Sequence, residues 1–286
     1  MASIIATASG KGGVGKTLLT ASMGIALARQ GKKVLLIDGD MGLRNMDLIL
    51  GLENDCLYNI CDLAEGRCFM EDAILPVMKG LDFLPSSQEE SWETVFPAAM
   101  DMVLEDIHRR YDYIFIDCPA GMGKGVETAF RMSGRIVVVV APSWASRRSA
   151  DHLVTMIGRG KDYAFVLNQF SASHRASLSF DDVYDTLDPE LFGGVIPYSI
   201  HADRLAHEGE LTDFKEKSAF GKSLSYVLRA LLEKKEFPLS RWESFLTLGD
   251  RENEKETAGK ASAKKADSSG LTWHSGSRSY RWQRRR

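Results

Sequence analysis

Apolar and polar positions follow two rhythms along the first 235 residues. Short apolar runs, many of them β-branched, recur at Ile4–Thr7, Val34–Ile37, Leu81–Leu84, Tyr113–Ile116, Ile136–Val140, Ala164–Leu167 and Gly194–Ile196. Each is closed by turn-forming Gly, Pro, Asn, Asp or Ser, so each reads as a strand. Between them, apolar residues spaced three and four apart predict helices over Lys16–Arg29, Pro97–Arg110, Arg147–Ile157, Phe180–Leu187 and Glu216–Lys235. Strands alternating with helices of this length imply βαβ units, hence an α/β fold with a mostly parallel sheet and helices on both faces. The unbroken run Ile136–Val140 suits a central strand buried on both sides.

This rhythm ends near Lys235, which gives a folded domain over residues 1–236. In the following FPLSRWESFLTLG, Leu239, Trp242, Phe245 and Leu246 share one helical face, defining a short amphipathic segment at 237–249. Its polar side sets only Arg241 against Glu243 and lacks the basic face of a membrane-surface helix, so packing on the domain and insertion into lipid both stay open. Residues 250–270, DRENEKETAGKASAKKADSSG, hold no large apolar side chain and are expected to be disordered. That makes 250–286 a disordered basic tail.

Charge sharpens the division. From Gly249 onward ten Lys/Arg face five Asp/Glu, a net of +5, whereas residues 1–248 carry 26 against 34, a net of −8. The final LTWHSGSRSYRWQRRR has five arginines, three aromatic residues and no acid. Such a segment suits an anionic membrane surface, nucleic-acid phosphates with base stacking, or plain solvation. Composition is otherwise that of a soluble globular protein, 44% apolar and 26% charged. No run approaches the roughly 18 apolar residues of a spanning helix, and the first residues lack the zones of a secretory signal, so the cytosol is the expected compartment. Cys56, Cys61, Cys68 and Cys118 show neither a C-x-x-C pair nor metal-knuckle spacing, so buried reduced thiols are expected rather than a metal or iron–sulfur site.

The chemistry concentrates in the loop after the first strand, SGKGGVGKTLLTA. Gly10–Thr17 fits G-x-x-x-x-G-K-[ST] between a strand and a helix, the context that motif needs. Gly10, Lys11, Gly12, Gly13, Val14, Gly15, Lys16, Thr17 and Leu18 are the candidate nucleotide-binding residues. Glycines let backbone N–H groups turn toward phosphate oxygens, the helix from Lys16 adds its positive end, Lys16 neutralises the β and γ oxygens, and Thr17 ligates Mg²⁺. The alternative is a glycine-rich turn without ligand. Carboxylates follow two later strands: Asp38 and Asp40 in VLLIDGDMGLRN, and Asp117 in YIFIDCPAG. Ligands of open α/β sheets sit at the carboxyl ends of strands. Asp117 is placed to hold Mg²⁺ through water, Asp38 to support the metal shell, and Asp40 to position or deprotonate the attacking water. Each aspartate taken singly also suits a turn or a helix cap.

Lys11 falls outside that scheme. With it the loop reads GKGGVGKT and resembles the deviant phosphate loop of the ParA/MinD ATPase family. In DGDMGLRNMDLILGLEN, AEGRC and DCPAG, taken in this order, the chain resembles the MinD division-site branch, with GLRN-D-LG the most specific element; the likeness runs from Ser3 to about Lys235. The resemblance implies a P-loop fold and a Mg²⁺-dependent ATPase, slow without an activator, that forms a homodimer around ATP. Lys11, Lys16 and Asp40 would be catalytic, with Lys11 crossing the dimer interface to face Asp151 in SWASRRSADHL. Asn168 in VLNQF and Pro197 in GVIPYS would line the adenine. The ATP state would sit peripherally on anionic lipid at the inner face of the cell membrane and place the division septum, with a Min-type division inhibitor and ATPase activator as partners. The rival reading is a partition ATPase whose ATP dimer binds DNA non-specifically. Two departures stand out: Leu18 replaces a usual Thr/Ser, and Ser143 replaces the usual glutamate after Pro142.

Overall fold

A computed structural model describes residues 2–42, 44–90, 103, 105, 107–173 and 178–268. All seven expected strands form: β1 (Ser3–Ser9), β2 (Val34–Asp38), β4 (Leu81–Leu84), β5 (Tyr113–Ala120), β6 (Arg135–Val140), β7 (Asp162–Phe170) and β8 (Phe192–Pro197). An eighth, β3 (Leu75–Met78), was not foreseen because Pro76 breaks its pattern. It pairs antiparallel to β4 at the sheet edge, where a missing N–H is tolerated. The sheet order is β3-β4-β2-β5-β1-β6-β7-β8, and every pair except β3–β4 is parallel. β2 is buried throughout, as is β6 after Arg135. Continuous apolar strands of this kind need cover on both faces.

The covering helices are α1 (Lys16–Arg29), α5 (Lys124–Met132), α6 (Trp144–Val154), α7 (Phe180–Tyr184), α8 (Ile200–His207) and α9 (Ala219–Glu233). Three short helices, α2 (Met46–Leu50), α3 (Ile60–Ala64) and α4 (Met70–Ala73), fill the β2–β3 connection. Caps move the starts away from those read off periodicity. Ser143 accepts from the Ser146 N–H, so α6 begins at Trp144 instead of Arg147; Ser218 accepts from Gly221, so α9 begins at Ala219 instead of Glu216. The expected helix Pro97–Arg110 lies mostly outside the described residues; Val103, Glu105 and Ile107 are helical, and Val103 and Ile107 are buried.

The C-terminal helix α10 (Leu239–Ser268) settles the ambiguous apolar stripe. Trp242, Phe245 and Leu246 are buried, and only Leu239 stays partly exposed. The indole meets Phe192, Phe237 and Tyr226 edge-on at centroid distances of 5.8, 5.9 and 6.2 Å. Gly194 makes room for it: a Cβ there would lie 2.6 Å from Trp242, and its φ of +125° disfavours any side chain. The stripe is thus core, not membrane anchor.

Over residues 250–268 the same helix corrects the expected disorder, since it continues to Ser268. Its polar side chains tie it to the domain: Asp250 accepts from the Ser171 hydroxyl (2.6 Å), and Glu252 accepts from the Ala219 N–H (3.0 and 3.1 Å). Composition registers missing apolar area but not such capping bonds. The basic segment 271–286 lies outside the described residues. Among those described, no helix is long and apolar enough to cross a membrane. Trp242→Ala should cost about 3–5 kcal/mol of unfolding free energy, read by urea titration; a loss below about 1 kcal/mol would mean that α10 is not packed as described.

Candidate functional site

β1 lies between β5 and β6, so the chain leaves it toward one side of the sheet and later returns to the other. The crevice at the carboxyl end of β1 is therefore a topological switch point. The loop Gly10–Gly15 fills it. Gly10 packs against the middle of α6 so closely that a Cβ would fall 2.3 Å from the Ser149 carbonyl oxygen. Gly15 has φ +75°, and a Cβ there would strike the Asn168 amide nitrogen at 2.6 Å. That amide, carried by β7, donates to the Val14 carbonyl at 2.8 Å and so props the loop from beneath.

Asp117 is the hub. Parallel register sets it beside Thr7 of β1 and Asp38 of β2. Its Oδ1 lies 3.0 Å from the Lys16 ammonium, and both side chains are almost fully buried. Its Oδ2 accepts from the Thr17 hydroxyl at 2.6 Å. Thr20, one turn further along α1, has its hydroxyl 3.1 Å from Oδ1 and 2.9 Å from the Lys16 carbonyl. Burial works against the Lys16 charge, but the Asp117 carboxylate outweighs it and the ammonium pKa is raised.

Asp38 is wholly buried and accepts from the N–H groups of Asp40 (2.9 Å) and Met46 (3.2 Å). Burial, then the neighbouring Asp117 charge, pushes its carboxyl up to about 7. Asp40 is half-buried and raised by burial, with Lys16 pulling the other way. Arg44 lies beside them: at φ +40°, it donates to the buried Asp47 carboxylate at 2.7 Å, and its N–H bonds the Asp40 carbonyl at 3.0 Å.

A cleft of about 920 Å³ runs over Gly12–Leu18, with Asp40 on one side and Gln169, Asp203 and His207 on the other. Beside it a notch of about 30 Å³ is lined by Gly15, Leu18, Asn168, Pro197, Ser199 and Asp203. The structure thus brings together the phosphate loop, Asp38, Asp40, Asp117, Asn168 and Pro197. It leaves two residues apart. Lys11 is exposed at the loop mouth, and among the described residues it has no ion-pair partner. Asp151 is exposed on α6 and pairs with Arg147 of its own helix. Thr20, Gln169 and Asp203 escaped the sequence reading. Thr20 had a signal, a hydroxyl one turn after Lys16 on an otherwise apolar helix face; Gln169 and Asp203 had none.

Of the four cysteines expected to be buried, only Cys61 and Cys118 are; Cys56 and Cys68 are half-buried. Burial raises all four thiols, Cys56 to about 11 and Cys118 to about 12. Among the described residues no three His, Cys, Asp or Glu side chains form a metal cage. The donor set instead suits Mg²⁺, which keeps waters and takes few protein oxygens alongside phosphate. The Thr17 hydroxyl would ligate it directly, backed by Asp117 and Asp38.

Comparison with known proteins agrees with this geometry. A family model described as an AAA domain matches residues 2–169. The septum site-determining protein MinD of Thermotoga maritima is 36% identical over 211 residues, covering 70% of this chain and 76% of that protein. The MinC:MinD cell division complex of Aquifex aeolicus superposes with a TM-score of 0.74 at 36% identity, covering 84% of this chain and 99% of that one. MinD from Pyrococcus horikoshii, complexed with Mg-ADP, superposes with 0.71 at 27% identity, covering 82% and 97%. Fold and site define a P-loop nucleotide-binding protein. Within that class, the chain belongs to the MinD branch of the ParA-type ATPase family.

The raised carboxyl of Asp38 has a direct consequence for stability. Between about pH 4, where an unfolded Asp ionises, and about pH 7, the folded protein retains a proton that the unfolded chain has lost. This contribution favours folding at low pH and is lost as pH rises to 7. Without nucleotide, Asp38→Asn should therefore gain in Tm relative to the parent between pH 5 and pH 8. A Tm difference that is constant across that range would contradict the assignment.

Proposed function

We propose that the protein is a Mg²⁺-dependent ATPase that closes a homodimer around ATP and, in that state, binds the inner face of the cell membrane to help place the division septum. The observation that carries this reading is the division of labour between two lysines of one loop. Lys16 is buried against Asp117, while Lys11 stands exposed at the mouth. A single nucleotide needs one such lysine; a second, exposed and not among the residues that line its own cleft, suits the nucleotide of another copy.

In this reading Lys16 leaves Asp117 for the β and γ phosphates, and Thr17 turns its hydroxyl to the metal. Asp117, relieved of both, holds the metal's water shell, with Asp38 behind it. Bound Mg²⁺ supplies charge neutralisation for the phosphoryl oxygens. Asp40, half-exposed in the cleft, positions the attacking water. Lys11 reaches the partner's nucleotide, and Asp151 exchanges Arg147 for the partner's Lys11. Asn168 and Pro197 frame the adenine. Leu18 offers no hydroxyl to the α phosphate.

Hydrolysis then acts as a timer that releases the dimer, slow alone and faster with a Min-type activator. The Aquifex complex supports a MinC-type division inhibitor as a further partner. Because the α10 stripe is core, the membrane contact falls to the basic, aromatic segment 271–286. Two copies in a dimer add avidity that one copy lacks. Between such encounters the protein is cytoplasmic.

Lys16→Ala should lower ATP turnover about 100-fold or more; unchanged turnover would remove the site from the chemistry. Co-sedimentation with anionic vesicles should require ATP and Mg²⁺, fail with ADP, and be lost on truncation after Gly270. ATP-dependent binding to duplex DNA and not to vesicles would instead make the protein a partition-type switch.

A further inference from the structure

We propose that Asn253 of the C-terminal helix is a positioning residue for the nucleotide base. The inference rests on the reading that the cleft takes a nucleotide. With phosphates on Gly10–Thr17, the base must lie along a neighbouring wall. The notch beside Gly15 offers apolar floor from Leu18, Pro197 and Ala202, together with the polar groups of Asn168 and Ser199. Flat aromatic ligands with a few hydrogen-bonding edges select surfaces of this kind. At about 30 Å³ it cannot enclose a purine, so the base lies across its mouth and the height of the wall at Pro197–Ser199 decides the fit.

That wall is the two-residue turn Tyr198–Ser199 between β8 and α8, held from behind by α10. One side chain spans it. Asn253 Oδ1 accepts from the Ile200 N–H at 3.0 Å, and Asn253 Nδ2 donates to the Tyr198 carbonyl at 2.9 Å. The two bonds fix the peptide groups on either side of Ser199. Four residues earlier on the same helix face, Gly249 lies flat on Pro197: a Cβ there would sit 2.8 Å from the proline Cβ and force it toward the notch. Asp250 binds Ser171 just beyond β7, whose Asn168 forms the opposite wall. Neither Asn253 nor Gly249 lines the notch itself, so both act only through the loop they hold.

The linkage runs both ways: a base that prefers the held loop also favours the docked helix. The helix that sets the base wall is also the one that leads to the basic segment 271–286.

The test compares ADP with pyrophosphate, which has the phosphates but no base, by calorimetry on the full chain. Asn253→Ala should weaken ADP about 5- to 20-fold and leave pyrophosphate unchanged within twofold. Gly249→Ala, which pushes the same wall from behind, should do likewise. In turnover, both variants should raise KM for ATP and keep kcat. In the parent protein, ADP should slow amide exchange over 250–257, and pyrophosphate should not. Equal ADP affinity in parent and variants would overturn the proposal, as would equal losses for ADP and pyrophosphate or exchange that ignores ADP. Should the parent bind neither ligand, the nucleotide reading itself fails and takes this inference with it.

Discussion

The buried pair between Lys16 and Asp117 is the interaction on which the rest of the site depends. A charged pair taken out of water gives little net stability, and removing one partner strands the other. Here the carboxylate meets three donors, from Lys16, Thr17 and Thr20, all on the first turns of α1. It can do so only because β5 lies beside β1 and ends directly beneath the start of that helix. Sheet order and the helix start thus meet in one electrostatic contact. The donors are also those a metal-bound triphosphate would redistribute, so the nucleotide-free arrangement is poised for exchange.

Asp38 shows the complementary constraint. Two backbone N–H groups hold its oxygens, yet burial and the nearby Asp117 raise its carboxyl to about 7. A cation in the cleft would reverse that balance and favour its ionised form. The Arg44–Asp47 pair closes the loop that carries Asp40. The GLRN segment therefore has a local structural task whatever surface it presents to partners.

Much of this was legible in the sequence, for identifiable reasons. Buried strands such as β2 and β6 announce themselves because both faces demand apolar side chains. The phosphate loop and the strand-end aspartates follow from motif and register. What stayed hidden depends on long-range geometry. β3 is marked by a proline that only an edge excuses, and α2 to α4 are too short to show a period. Helix starts shifted to Trp144 and Ala219 because the caps at Ser143 and Ser218 outweigh periodicity. The stripe on α10 had two physical readings until Gly194 showed where Trp242 goes. Residues 250–268 lack large apolar side chains, and the bonds that tie Glu252 and Asn253 to the domain join residues 33 and 53 to 55 apart. No local pattern encodes them.

The most direct test of the central claim is a crystal structure with Mg²⁺ and a non-hydrolysable ATP analogue, in which the Lys16–Asp117 separation is measured. The account predicts that the ammonium leaves the 3.0 Å pairing for the phosphates, that Thr17 turns to the metal, and that Lys11 meets the analogue held by a second copy. An analogue bound in the cleft with Lys16 still on Asp117 and Lys11 still in solvent would contradict it.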